Sequence, residues 1–440
     1  MADSDAIRTI PLSKTTKFIV DNRGRTAPAV ESGIPLIATN CITNQRLYPA
    51  YENLRYVSQD TYDTWFRSHP LPGDIILTNK GSQNGAICLV PDPVGFVIAQ
   101  DMVALRADED VIDPLFLFAA LRSSDVQREI KNLDVSGVIP HFKKTDFDKL
   151  HLPYPERHVQ EAIGRIYFDF CDKIELNRRM NATLETVARG LFQSWFVDFD
   201  PVRAKLDGRE PVGMDAATAD LFPEHLEDSP LGHIPTGWEV RSLDKTAHYL
   251  NGLALQKYPP CDGPTLPVIK IAQLRKGDSI GADLCNTGLP PDYIVQDGDV
   301  LFSWSGSLEV ELWCGGPGAL NQHLFKVTSP EFPKWFYYLW TLYHLDEFRL
   351  IAADKATTMG HIQRGHLTAA KVLIPPRPLL DAMTRTMSPI IDQLIANRIQ
   401  SRTLAILRDT LLPKLLSGEL SVAEATVNRD FQVQPGMPKP

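Results

Sequence analysis

The chain has 440 residues and carries 45 Lys+Arg against 54 Asp+Glu, a formal net charge of −9. At about 100–200 residues per domain this length allows roughly two to four units with ample core, and 43% hydrophobic with 22% charged residues excludes the disordered, collagenous and disulfide-scaffold classes for most of the chain. The charge balance also excludes whole-chain basicity, the usual mark of indiscriminate nucleic-acid binding, while leaving room for a local basic surface.

The opening MADSDAIRTI is acidic and has no apolar segment of the kind a signal peptide needs. No run approaches the ~18–20 apolar residues of a spanning helix. A cytoplasmic protein with no membrane association is expected. The six cysteines are dispersed, without C-x-x-C spacing or a Cys/His cluster, so they read as reduced, mostly buried small hydrophobes, and no metal site is expected.

In chain order, residues 1–156 form a region of short strand-like runs broken by Gly, Pro, Asn and Asp, with a helix-like patch from Pro114 to Ile130. Pro153 and Pro155 then punctuate, and residues 157–200 follow as a proline-free amphipathic stretch. Residues 201–233 connect it to a second region of short strands, 234–376, with its own patch from Lys334 to Ile351. Residues 377–420 repeat the long-helix pattern, although Pro389 and Pro413 fall within it, and residues 421–440, ending PGMPKP, have no periodicity and are expected to form a mobile tail.

The second half repeats the first. PGDIILTNKGS (72–82) matches DGDVLFSWSGS (297–307), IPLIATNCI (34–42) matches LPVIKIAQL (266–274), and HFKKTDF (141–147) matches HIQRGHL (361–367). His141 and His361, Asn177 and Asn397, and Leu184 and Leu404 each stand 220 residues apart, half the length of the chain. In the long stretches a seven-residue ladder reads Ile163, Phe170, Asn177, Leu184, Leu191 and, in the second half, Met383, Ile390, Asn397, Leu404, Leu411. That pattern is a coiled-coil seam with one asparagine in each helix, and a buried asparagine fixes register because only one alignment satisfies its amide. At ~1.5 Å per residue, a 40-residue helix is about 60 Å long, so a pair would act as a rigid spacer.

Catalytic readings find little support. LPPDY (289–293) departs from the [DNS]-P-P-[YF] tetrapeptide of amino-methyltransferases, and neither a dinucleotide-type glycine loop nor a G-x-x-x-x-G-K-[ST] phosphate loop is present. No acidic pair stands out as a nuclease or general acid/base centre. What remains is recognition. Polar loops carry Asn79, Lys80, Ser82, Gln83 and Asn84, then His141, Lys143 and Lys144, and in the second half Gln273, Arg275 and Lys276, Ser305, and His361, Gln363 and Arg364. Arg or Lys can read guanine, and Gln or Asn adenine, in the major groove; the same loops are equally ordinary as solvated surface. A coiled-coil scaffold that never touches DNA, and a self-sufficient methyltransferase or nuclease, stand as alternatives to a DNA reader.

GLFQSWFVDFDPVRAK (190–205), GREPVGMDAATADLFPEHLEDSPLGHIPTGWEV (208–240) and LRDTLLPKLLSGEL (407–420) resemble the specificity subunit of type I restriction–modification systems. The resemblance implies an α/β (α+β) fold: a tandem repeat of two globular target-recognition domains separated by two long antiparallel coiled-coil helices. It also implies a subunit without catalysis that reads a bipartite double-stranded DNA site. Two methyltransferase subunits would dock on the helices, where Asn177, Leu184, Leu191, Asn397, Leu404 and Leu411 are the register and docking candidates, and restriction/motor subunits would join for cleavage. S-adenosylmethionine, ATP and Mg2+ would belong to those partners. A net charge of −9 is poor for gripping a polyanion unaided, since phosphate neutralisation supplies most non-specific affinity. The isolated chain is therefore expected to bind DNA weakly and with strong salt dependence in a titration, and nanomolar sequence-specific binding at physiological salt would contradict this.

Overall fold

A computed structural model describes residues 8–22, 24–133, 140–354 and 360–423. The expected tail lies outside the described residues beyond Ala423. The chain divides into two units: one comprises the residues up to Leu176 together with those from Thr403 onward, the other Asn177–Arg402. Each unit holds part of each long helix, Arg157–Phe196 and Arg377–Leu416.

In the first unit an antiparallel sheet orders Thr16–Val20, Met102–Ala107, Ile75–Thr78 and Ile87–Leu89. The run Ile75–Thr78 is buried at all four positions, as the continuous apolar sequence of a central strand requires. A smaller sheet orders Arg55–Val57, Ile34–Ile37 and Val97–Ile98, the last two parallel. The helix Pro114–Arg122 starts where Asp113 accepts a hydrogen bond from the Phe116 amide at 2.8 Å, with proline in its first turn.

The second unit repeats the order of the larger sheet and the core of the smaller one, to which Ile294–Val295 adds a fourth strand. His248–Asn251, Leu324–Thr328, Val300–Ser303 and Val310–Leu312 take the same order, and Thr265–Ile269 runs parallel to Gly318–Leu320 in the companion sheet. Repeated sequence thus becomes repeated ion pairs. The aspartate of PGD, Asp74, is buried and takes Arg106 through two bonds of 3.0 and 2.9 Å, and that of DGD, Asp299, takes Lys326 at 2.9 Å. Thr15 and Thr246 are both buried and donate to the carbonyls of Leu12 and Leu243, each at 2.8 Å.

Each unit closes its core over its own parts of the long helices. In the first, Phe116, Phe118, Phe142 and Leu150 pack with Ile163 and Tyr167 of one helix and Leu412 and Leu415 of the other. In the second, Phe302, Trp335 and Phe336 pack with Phe192, Trp195 and Phe196 and with Met383, Met387, Ile391 and Leu394. The connecting segment has elements of its own, helices Asp200–Leu206 and Ala216–Leu221 and a hairpin of Leu226–Ser229 with Gly232–Pro235. Val202, Phe222 and Ile234 bury it in the second unit's core.

Within the second unit the helices run antiparallel, Asn181 meeting Leu394 where Asn177 meets Ser401. The seam departs from the seven-residue ladder in a regular way. Phe170, Leu191, Ile390 and Leu411 are only half-buried, while the next residue in each case, Cys171, Phe192, Ile391 and Leu412, is buried. A helix packed into a core buries a stripe about 100° wide rather than one heptad position, so the residue beside the ladder is enclosed where a core closes over it, while Asn177 and Asn397 stay buried on the ladder itself. Pro389 and Pro413 do not interrupt Arg377–Leu416. Proline costs about 3 kcal/mol in a helix interior, and burial of Met383, Met387, Ile391 and Leu394 around Pro389 outweighs it. Among the described residues no helix is long and apolar enough to cross a membrane.

Candidate nucleic-acid interface

In the first domain the strand Ile75–Thr78 delivers Asn79 into a backbone junction. Its N–H donates to Asp101 O at 3.0 Å, and its carbonyl accepts from Phe142 N at 2.9 Å. Gly81 N donates to Pro140 O at 2.9 Å, and Lys80 pairs with His141 in a single antiparallel bridge. The second domain builds the same junction from unlike residues. Trp304 N donates to His323 O at 3.3 Å, Trp304 O accepts from Ile362 N at 3.0 Å, Gly306 N donates to Gly360 O at 2.8 Å, and Ser305 bridges His361. The shared glycine of NKGS and WSGS has φ of +92° at Gly81 and +66° at Gly306, a turn that other residues adopt only with strain.

The side chains on these matched scaffolds differ in kind. In the first domain Lys80 pairs with Asp101 at 3.7 Å, Lys144 pairs with Asp21, and Lys143 is exposed. Asn84 accepts from Phe142 N at 3.2 Å, the Gln83 carbonyl accepts from the Thr78 hydroxyl, and Ser82 is exposed. Asn79 Oδ1 and Gln100 Oε1 are buried acceptors without a protein donor among the described residues. The result is a lysine-rich surface tempered by two aspartates.

The second domain is aromatic and amide-rich. Trp304 Nε1 donates to Asn251 Oδ1 at 2.9 Å and to Gln322 O at 3.2 Å, and its ring lies 5.9 Å from His323 and 6.3 Å from His361. Arg364 is exposed, reaches Tyr249 O at 3.4 Å and lies over Phe325. Gln363 caps the short helix Arg364–Ala369.

Four sequence candidates are placed differently from expectation. Ser305 is buried rather than presented to a ligand, its hydroxyl 2.9 Å from His323 Nδ1, because the strand end turns it inward. Gln273 caps the helix Ile271–Lys276, its Oε1 accepting from Lys270 N at 3.3 Å. Arg275 is exposed and Lys276 pairs with Asp278 at 3.1 Å, but no described bond joins that helix to the His361 junction. Sequence reasoning missed Asp21, Gln100 and Asp101 in the first domain and Asn251, Trp304, Gln322 and His323 in the second. The signal for Trp304 was its place opposite Asn79 in an otherwise matching repeat; the others become visible only through strand register.

On the helices, Asn177 and Asn397 are both buried. Asn177 Nδ2 donates to Gln400 Oε1 at 2.8 Å and Ser401 Oγ at 3.2 Å, and Asn397 Nδ2 to Asn181 Oδ1 at 2.8 Å. Positions 177 and 397, like 181 and 401, are repeat equivalents, so the amides exchange partners about a local pseudo-two-fold. Leu184 and Leu191 are half-buried against the second core, Leu411 against the first, and Leu404 is half-buried.

A model described as the type I restriction modification DNA specificity domain matches the chain twice, over residues 25–186 and 235–403. The MjaIX specificity subunit of a type I restriction enzyme from Methanocaldococcus jannaschii is 25% identical over 367 residues, covering 80% of this chain and 78% of the relative. The HindI specificity subunit from Haemophilus influenzae is 23% identical over 398 residues, covering 79% and 86%. The crystal structure of a type I restriction–modification S subunit from M. genitalium shares the fold, with a TM-score of 0.53 over 94% of this chain and 98% of that one at 14% identity. With two copies of the domain, a matched recognition scaffold in each and two long paired helices, the chain belongs to the type I restriction–modification DNA specificity family, as a specificity subunit with two target-recognition domains.

Proposed function

We propose that the chain reads a bipartite double-stranded DNA site, one half-site per domain, and scaffolds two methyltransferase subunits on its long helices. Restriction/motor subunits join that complex for cleavage, and S-adenosylmethionine, ATP and Mg2+ are held by the partners. The observation that carries this reading is the junction built twice with the same backbone bonds and unlike side chains: Asn79, Lys80 and Asp101 in one domain, Trp304, Ser305 and His323 in the other. A fixed frame with variable chemistry is what reading two different half-sites requires, because base edges differ in their donor and acceptor patterns while the backbone geometry of the duplex stays nearly constant. Exposed Met180 and Val187 on the first helix and Ile406 on the second offer apolar surface to the methyltransferase subunits. Those subunits also supply much of the phosphate grip that a net charge of −9 denies to this chain.

The test is an exchange of residues 1–155 for the corresponding region of a relative, in a host that also expresses the cognate methyltransferase. Methylome sequencing is expected to show one half of the modified motif changed and the other kept. An unchanged pattern would leave the chain a protein scaffold that does not read DNA.

A further inference from the structure

The second domain contains a hydrogen-bond relay whose outer end has no further partner among the described residues. Gln322 is fixed by its backbone on both sides: its N–H donates to Leu253 O at 2.9 Å and its carbonyl accepts from Trp304 Nε1 at 3.2 Å. Its side-chain Nε2 lies 3.3 Å from His323 Nε2, and His323 Nδ1 lies 2.9 Å from Ser305 Oγ. An amide nitrogen can only donate, so the imidazole accepts at Nε2 and its proton sits on Nδ1, directed to the Ser305 oxygen. Ser305 is buried and held in the His361 bridge, so the relay is anchored at its inner end.

The outer end is the rest of the Gln322 amide: Nε2 has one further N–H to give, and Oε1 makes no hydrogen bond among the described residues. That edge complements adenine in the major groove, where N7 accepts and N6–H donates. Beside it, Asn251 is exposed and has its amide orientation set by Trp304 Nε1 on Oδ1. The first domain has a glutamine at the equivalent place, but Gln100 turns its amide inward, Nε2 donating to Thr26 Oγ1 at 3.1 Å and Oε1 buried. The same residue is thus presented in one domain and withdrawn in the other.

We propose that Gln322, oriented by the Ser305–His323 pair, reads an adenine in the half-site of the second domain. This rests on the domain being a DNA reader and assigns the residue and the base. His323 acts as a positioning residue, since it touches Gln322 rather than the base.

The experiment is methylome sequencing of hosts expressing the full complex with Gln322→Glu, and separately with His323→Ala. Glutamate keeps the acceptor and loses the donor, so discrimination for adenine at one position of the second half-site is expected to fall roughly 10- to 100-fold, with cytosine gaining because its N4 amino group donates. His323→Ala is expected to relax the same position and no other. The first half-site stays unchanged in both. A motif untouched by Gln322→Glu, or changed in both halves, overturns the assignment. Exchange of residues 234–376 separates this from the broader reading: if that exchange alters the second half-site while Gln322→Glu does not, the domain reads DNA through other residues. Should a variant abolish methylation, binding of the purified complex to oligonucleotides varied base by base decides the matter, because an equal loss on every sequence means a structural role.

Discussion

A valine at position 164 is expected to destabilise the first unit by about 3 kcal/mol, since overpacking commonly costs 1–3 kcal/mol and a disturbed N-cap adds to it. Gly164 lies where the first long helix crosses the opening turn of Pro114–Arg122. A Cβ there would stand 2.5 Å from Phe116 N, 2.8 Å from Leu115 C and 2.8 Å from Asp113 Oδ1. Two of those atoms are backbone and cannot rotate away, so helix and turn must separate. The third caps the turn by accepting from Phe116 N, and Gln160, one turn earlier on the long helix, accepts from Asp113 N at 3.0 Å. Separation therefore strains packing and capping together and draws Tyr167 off Phe118, whose ring centroid is 5.8 Å away. Thermal unfolding is expected to show the first unit's transition lowered by roughly 10 °C, at about 2–4 °C per kcal/mol for a unit of this size. The second unit's transition should stay put and serve as the internal reference.

The equivalent crossing in the second unit has a different solution. Position 384 is threonine, whose hydroxyl accepts from Trp335 Nε1 at 3.1 Å and donates to Leu380 O at 2.6 Å. The first crossing is close enough to demand glycine; the second is wide enough for a side chain that ties a buried tryptophan to the helix. A repeat in sequence preserves which elements meet, while the residue at the contact sets how near they come.

That distinction explains what could be read beforehand. The duplication, the long helices and the asparagine seam were legible because periodicity and offset are properties of the chain itself. Glycine after Lys80 and after Ser305 marked the turns in both halves. The inward residues of the helices were legible only to within one position, as Phe170 beside Cys171 and Ile390 beside Ile391 show, because the buried stripe of a packed helix is wider than a single heptad position. Candidate loop residues fared unevenly for a similar reason. The His141 and His361 segments were brought to the strand ends bearing Lys80 and Ser305, but Ser305 was turned inward by its strand, and Gln273 was recruited as a cap. Gln100, Asp101, Gln322 and His323 carry no motif. They join the site because Met102–Ala107 and Leu324–Thr328 pair with the strands that end at Asn79 and Trp304, and register between distant strands is not written in local sequence.

Alanine at position 252 is expected to abolish recognition by the second domain while leaving the first domain intact. A Cβ on Gly252 would stand 2.2 Å from Asn321 O, 2.5 Å from Asn321 C and 2.6 Å from Leu320 O, all backbone atoms. Three hydrogen bonds hold the two segments at this distance: Gly252 N to Leu324 O and Leu253 N to Leu320 O, both at 3.0 Å, and Gln322 N to Leu253 O at 2.9 Å. The added methyl must push the segments apart at a cost of about 2–3 kcal/mol. The chemical consequence is local, because Asn251 precedes the glycine and Gln322 and His323 follow Asn321. Trp304, which donates to both Asn251 and the Gln322 carbonyl, cannot keep both partners once they separate. The first domain has Asn22 at the equivalent position, with room for a side chain that donates to Ile98 O and accepts from Arg67 N, each at 3.3 Å. Close approach is therefore a requirement of the Asn251–Trp304–Gln322 cluster and not of the fold. Oligonucleotide binding by the purified complex should show discrimination at the second half-site lost and that at the first retained. An alanine variant that keeps both its melting temperature and its full motif would mean that Asn251 and Gln322 are not held by this backbone contact, and the orientation of the Gln322 amide would then need another source.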